Sequence, residues 1–268
     1  MANPNPMFLS RTRPFSLRHA RSLFGVSDPA KIALLVESLI GDYGTVREEC
    51  CFALDTNKWT TAVTAGGGPT AFAYSAVRGG TFQGQTGATD DDATAIHAAN
   101  TFLDPADMPF FICRFKINAV TGVSIEVGMS DPKTDEALPG VTDVDTPTVG
   151  NGVTDIACLH MDTDQDLTTL ELVGDGTTGS AALSDSPSLT DAAFTPTADT
   201  YQTWLVGVRP NLSYALVFNG EGQIGSFSVA NGPDSGVLVR PYALFRTRNT
   251  VSKTIDIDSM FYGWERNG

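Results

Sequence analysis

The chain predicts an all-β sandwich carrying an extended N-terminal arm and one short helix. From about residue 46 onward the apolar residues follow period two, the spacing of a strand with one buried face. Roughly a dozen such runs recur about every ten residues, separated by clusters of Gly, Pro, Asn and Asp, as in sandwiches and barrels. The composition suits many short strands and turns: 26 Gly and 15 Pro in 268 residues, 41% apolar and only 18% charged. This length supports one large β domain with a sizeable core. The expected division is an arm and helix over 1–45 and a sandwich domain over 46–268.

Residues 1–27 read as the arm. Pro4, Pro6 and Pro14 block regular helix there. Met7, Phe8, Leu9, Phe15, Leu17, Leu23 and Phe24 give it more apolar surface than a disordered tail carries, so it is expected to bury against the body or a neighbouring molecule. A helix follows over about 29–40. Asp28 can cap it, Pro29 fits its first position and Gly41 supplies the stop. Ile32, Leu35, Val36, Leu39 and Ile40 form a wide apolar face for so short a helix, which calls for packing on the body or on a partner.

"CCFALDTNKWTTAV" opens the β region. "MPFFICRFKIN" is a strong strand, with Phe111, Cys113, Phe115 and Ile117 on one face. With "GVSIEVGMSD", reached through "AVTG", it predicts a hairpin. "TDIACLHMD" and "DLTTLELVG" predict a second around "TDQ". "TYQTWLVGVRP" and "SYALVFNGE" predict a third around "RPNL", continued by "GQIGSFSV". "VLVRPYALFRTRN" and "KTIDIDSMFYGWER" supply the last strands, and 174–200 reads as a long loop.

The net charge is -14, unevenly spread. The arm holds Arg11, Arg13, Arg18 and Arg21 and no acid, so it carries +4 and leaves -18 to the rest. A basic arm on an acidic body indicates different partners at its two ends. The acidic body argues against nucleic acid, whose phosphates it repels. No apolar run is long enough for a membrane span. The start lacks the apolar segment and cleavage site of a secretory signal. Being Arg-rich and acid-free, it leaves a transit peptide open, although its prolines oppose an amphipathic helix. Cys50, Cys51, Cys113 and Cys158 form no C-x-x-C pair and read as buried free thiols rather than zinc ligands.

The later strands carry a resemblance. Val217, Phe218, Asn219 and Gly220, then Pro241, then Thr254, Ile255, Asp256 and Ile257 resemble the closing strands of concanavalin A-like jelly rolls. That superfamily covers lectins, laminin-G-type modules and many glucanases, and the likeness spans about 46–268. It implies a concanavalin-like jelly-roll β-sandwich. The Ala-, Thr-, Gly- and Asp-rich texture with a short arm also resembles structural proteins of tailed bacteriophages.

No glucanase-like string of acids spaced E-x-D-x-x-E occurs. Asp256 and Asp258 stand two apart beside Ile255 and Ile257, which reads as the solvated outward face of a strand rather than a catalytic pair. Asp162, Asp164 and Asp166 have the one-three-five spacing of a calcium loop, but Leu167 and Val173 stand where that loop needs Gly and Glu. They read as a solvated turn, as do Asp90, Asp91 and Asp92. His19, His97 and His160 have no partners at metal or triad spacing. Trp59, Trp204 and Trp264 read as core fillers before sugar platforms.

The expectation is therefore a non-enzymatic virion protein that decorates the capsid exterior, with no cofactor, no metal and no membrane. Its partner would be the major capsid protein, alongside lattice neighbours or further copies of itself. Arg11, Arg13, Arg18 and Arg21 would pair with acidic capsid groups, and Phe15, Leu23 and Phe24 would add apolar burial. The alternative is a lectin-like, glycan-binding module of a phage head or tail fibre.

Overall fold

The computed structural model describes residues 43–49 as backbone, and then 54–66, 68–76, 80–132, 135–142, 148–165, 170–176, 196–209, 212–218 and 224–265. The expected arm and the helix over 29–40 lie outside the described residues, as do Cys50 and Cys51.

In chain order the strands are β1 (Tyr43–Glu49), β2 (Trp59–Val63), β3 (Thr70–Ser75), β4 (Thr81–Gln85) and β5 (Ala93–Ala98). Next come β6 (Phe110–Ile117), β7 (Val123–Ser130), the short β8 (Val141–Thr142) and β9 (Thr148–Val149), and β10 (Ile156–Asp162). The last are β11 (Glu171–Asp175), β12 (Gln202–Arg209), β13 (Leu212–Phe218), β14 (Ile224–Val229), β15 (Arg240–Thr247) and β16 (Thr254–Glu265).

They form two antiparallel sheets and a small β8–β9 pair. One sheet runs β14-β13-β12-β6-β16-β4-β3, with β1 added beside the far half of β16. This is the eight-stranded sheet. The six-stranded sheet runs β11-β10-β7-β15-β5-β2.

Alternation makes the core. β6 turns Phe111, Cys113, Phe115 and Ile117 inward, all fully buried, as its period-two pattern requires. β12 adds Trp204, Val206 and Val208, and β16 adds Ile255, Ile257, Met260 and Tyr262. The six-stranded sheet answers with Ile125 and Val127 from β7, Leu159 from β10 and Phe245 from β15. Rings interlock across the gap: Phe115 meets Phe245 at 5.1 Å, and Trp59 meets Tyr262 edge-on at 5.6 Å. Trp59 and Trp204 are thus core fillers, while Trp264 is partly buried against the same core.

Two predicted hairpins form. β10 pairs with β11 and β12 with β13, and β14 continues the latter. The β6–β7 hairpin does not. β6 pairs with β12 and β16, whereas β7 pairs with β10 and β15 in the opposite sheet. The short connection through Gly122, which has φ +59°, therefore steps between layers instead of turning within one. Periodicity sets which face a strand buries; it does not choose the pairing partner. β7 itself is buried on both faces, the mark of a central covered strand.

Candidate functional site

The outer face of the six-stranded sheet holds a cluster of buried polar groups. Strand register puts them in rows. Arg246, Ser124 and Asp162 face one another across β15, β7 and β10. The adjacent row is Leu244, Glu126, His160 and Glu171. The third is His97, Tyr242, Gly128, Cys158 and Val173. A Cβ on Gly128 would lie 2.1 Å from the Ala157 carbonyl oxygen, so glycine is what lets β10 lie this close.

At the first row's end sits a ring of four charges. Arg248 Nε lies 2.9 Å from each carboxylate oxygen of Asp162, and its Nη2 donates to Oδ2 as well. Arg246 Nη2 approaches the same oxygen at 3.3 Å. Both arginines also reach Asp91 Oδ1, at 2.5 Å from Arg248 and 3.3 Å from Arg246. Asp162 is fully buried, the arginines nearly so, and the Asp91 side chain is 61% exposed. Burial lowers the Arg246 pKa, and the neighbouring Arg248 adds to that. For Arg248 burial acts the same way, but the hydrogen bonds and charges of Asp162 and Asp91 outweigh it and raise its pKa.

This corrects the solvated-turn reading of Asp162. Its carboxylate is neutralised by two guanidiniums. Asp164 remains exposed, its N–H donating to Asp162 Oδ1 at 3.1 Å, and Asp166 lies outside the described residues. Asp91 likewise belongs to the ion network, while Asp92 accepts from the Thr89 N–H at 3.2 Å. The signal missed in the sequence was "RTR": Arg246 and Arg248 at strand spacing, on the face that Asp162 shares.

Behind the ring the face is buried. Glu126 accepts from the Tyr242 hydroxyl at 2.7 Å and from the Gly140 and Val141 N–H groups at 3.0 and 3.3 Å. Those bonds tie the β8 segment down as a roof. Burial, with Cys158 and Glu126 beside it, pushes the Tyr242 pKa well up. His160 is fully buried and neither ring nitrogen has a hydrogen-bond partner. Burial lowers its pKa against the pull of Glu126 and Asp162, so the ring is neutral.

Asp256 and Asp258 lie on the outer face of the other sheet. Ile255 and Ile257 point into the core opposite them, with a bulge between Ile257 and Ser259. Asp258 pairs with Arg114. Asp256 takes Lys116 at 3.0 Å and Gln83 at 2.8 Å, and its side chain is only 9% exposed. The outward-face reading is right in direction, but Asp256 is shielded rather than solvated. Tyr201 lies beneath both cations, 4.5 Å from the Arg114 guanidinium and 5.5 Å from the Lys116 ammonium. Each carboxylate is committed to its own cation.

Cys113 and Cys158 are buried and form no disulfide. Among the described residues no group of three or more His, Cys, Asp and Glu is arranged to hold a metal. The seven residues expected to bind a capsid, Arg11, Arg13, Phe15, Arg18, Arg21, Leu23 and Phe24, lie outside the described residues, as does His19.

No family model matches the chain, and no curated protein does. Solved structures do. A protein of unknown function from Shewanella oneidensis MR-1 superposes with TM-score 0.56 at 10% identity, covering 90% of this chain and 95% of its own. The fold is a concanavalin-like jelly-roll sandwich. The Lotus tetragonolobus seed lectin superposes with TM-score 0.55 at 10% identity over 84% of this chain and all of its own. Lectin I of Ulex europaeus, in complex with the methyl glycoside of α-L-fucose, gives 0.51 at 8% identity over 83% of this chain and 98% of its own. These neighbours lend no support to a virion role.

Proposed function

We propose that this chain is a non-enzymatic, lectin-like carbohydrate-binding module, and that it holds glycan at the Asp91–Arg248 rim. The observation that carries this is the fixed, exposed Asp91 carboxylate, clamped by two arginines at the end of the six-stranded sheet. A fixed acceptor beside guanidinium donors matches a pair of neighbouring sugar hydroxyls, each able to donate and accept. The carboxylates beside this rim are engaged: Asp162 is neutralised by two guanidiniums and Glu126 holds the roof. The fold likeness to seed lectins supports the reading.

The test is a glycan array with the intact protein, followed by titration of the best glycan onto Asp91→Ala. The expected result is micromolar to millimolar binding that Asp91→Ala weakens about tenfold or more, the loss of one charged hydrogen bond at about 1.5–3 kcal/mol. Binding unchanged in Asp91→Ala would move the site elsewhere. Absence of any glycan ligand, or release of reducing ends from a polysaccharide, would overturn the reading. Attachment to phage heads through the arm has no structural observation in its favour, and co-sedimentation with heads is its separate test.

A further inference from the structure

The outer face of the eight-stranded sheet carries an apolar stripe that an outer sheet face ordinarily lacks. One row across β16, β6, β12 and β13 reads Phe261, Ile112, Leu205 and Leu216. The next reads Gly263, Phe110, Gly207 and Tyr214. The Tyr214 ring lies over Gly207, where a Cβ would stand 2.0 Å from it, and Phe110 meets Phe261 at 5.5 Å. Leu205, Leu216 and Phe218 form a cluster with Ile112 and Tyr214 that is separate from the inter-sheet core.

The chain itself offers a matching surface. Just before β1 the sequence holds the apolar face Ile32, Leu35, Val36, Leu39 and Ile40, with only Gly41 and Asp42 between it and Tyr43. Tyr43 is paired with Glu265, two residues past Gly263, at the rim of this same face. A two-residue link spans about 7 Å, short enough to tie the end of that segment to this rim. Twelve helical residues measure about 18 Å, and three strand intervals from β16 to β13 measure about 14 Å.

We propose that residues 29–40 of this same chain lie as a helix across the outer face of the eight-stranded sheet, with their apolar side on the Phe261–Ile112–Leu205–Leu216 row. The short link favours this occupant over a second copy, because it holds the segment at high effective concentration. The sandwich is then a three-layer body on this side, and the opposite sheet keeps the Asp91 rim open.

The test uses the full chain. Leu35→Ala and Leu216→Ala are each expected to lower Tm by about 4–10 °C, since each opens a gap in one packed contact. The double variant should lose clearly less than the sum of the two. Additive losses, or no loss from Leu35→Ala, would overturn the proposal. A second measurement stands if an alanine variant fails to fold: the Val36→Cys, Leu216→Cys double variant, oxidised at low micromolar concentration and mapped by mass spectrometry. An intramolecular 36–216 link in a monomer supports docking in cis. A link found only between chains assigns the face to a second copy, and no link at all leaves the helix elsewhere; either result overturns it.

Discussion

Arg248 grips Asp162 with its Nε 2.9 Å from both carboxylate oxygens, and the carboxylate is fully buried. An ion pair removed from water is held less by its net worth than by the cost of breaking it. Asp162→Ala leaves two buried guanidiniums with only Asp91, and should cost about 3–5 kcal/mol. Urea unfolding checks this. Asp91→Ala, at the exposed rim, should cost under about 1 kcal/mol in the same assay.

The two strand aspartates should now separate. Asp256 is shielded and bonded to Lys116 and Gln83, and its charge raises the Lys116 pKa by hydrogen bonding. Asp256→Asn keeps the shape but removes the charge, and should cost about 1–2 kcal/mol. Asp258→Asn, one third exposed and paired with Arg114, should cost less than about 1 kcal/mol. Equal effects would mean that the difference in burial does not matter.

How much of this was legible in the sequence follows from what each pattern encodes. Alternation in "FFICRFKI" placed Phe111, Cys113, Phe115 and Ile117 in the core, because period two fixes the inward face. Turn chemistry found the β12–β13 hairpin. Neither signal names a partner strand, so the step from β6 to β7 was read as a hairpin when it crosses between sheets. The charged site was hidden for the same reason. Asp91 and Asp162 are far from Arg248 in the chain and meet it through the β5–β15–β7–β10 register. An acid in a turn looks solvated until the arginine facing it is known.

Gly128 tests the close approach of β7 and β10. Its missing Cβ would fall 2.1 Å from a backbone oxygen and 2.5 Å from the Cys158 Cα, neither of which can swing aside. Gly128→Ala should cost about 3 kcal/mol or prevent folding, by overpacking. Gly207→Ala meets the Tyr214 ring first, the far end of a side chain that can rotate away, and should cost less. Thermal unfolding of both variants gives the comparison.

His160 sets a direction for acid stability. It is buried, its ring nitrogens lack partners, and burial holds its pKa below the ordinary 6.5. The groups facing it are Glu126 and Asp162, which favour its proton, Arg246 and Arg248, which oppose it, and Glu171 across β11. The unfolded chain takes up a proton near the ordinary value while the folded chain does not. Stability is therefore full above that value and falls as pH drops, until the folded ring is itself protonated. Glu171 works oppositely, because burial raises its pKa: its contribution is present below the ordinary 4.5 and lost as pH rises through the folded value. The two slopes overlap in the wild-type curve, so the His160 part must be isolated by substitution. His160→Asn removes the titration and keeps a polar side chain. Subtracting its stability from wild type at each pH from 4 to 8 should give a difference that is flat above about 6.5 and declines below it. A difference that rises on acidification would mean that His160 is charged in the folded protein, held by Glu126 and Asp162.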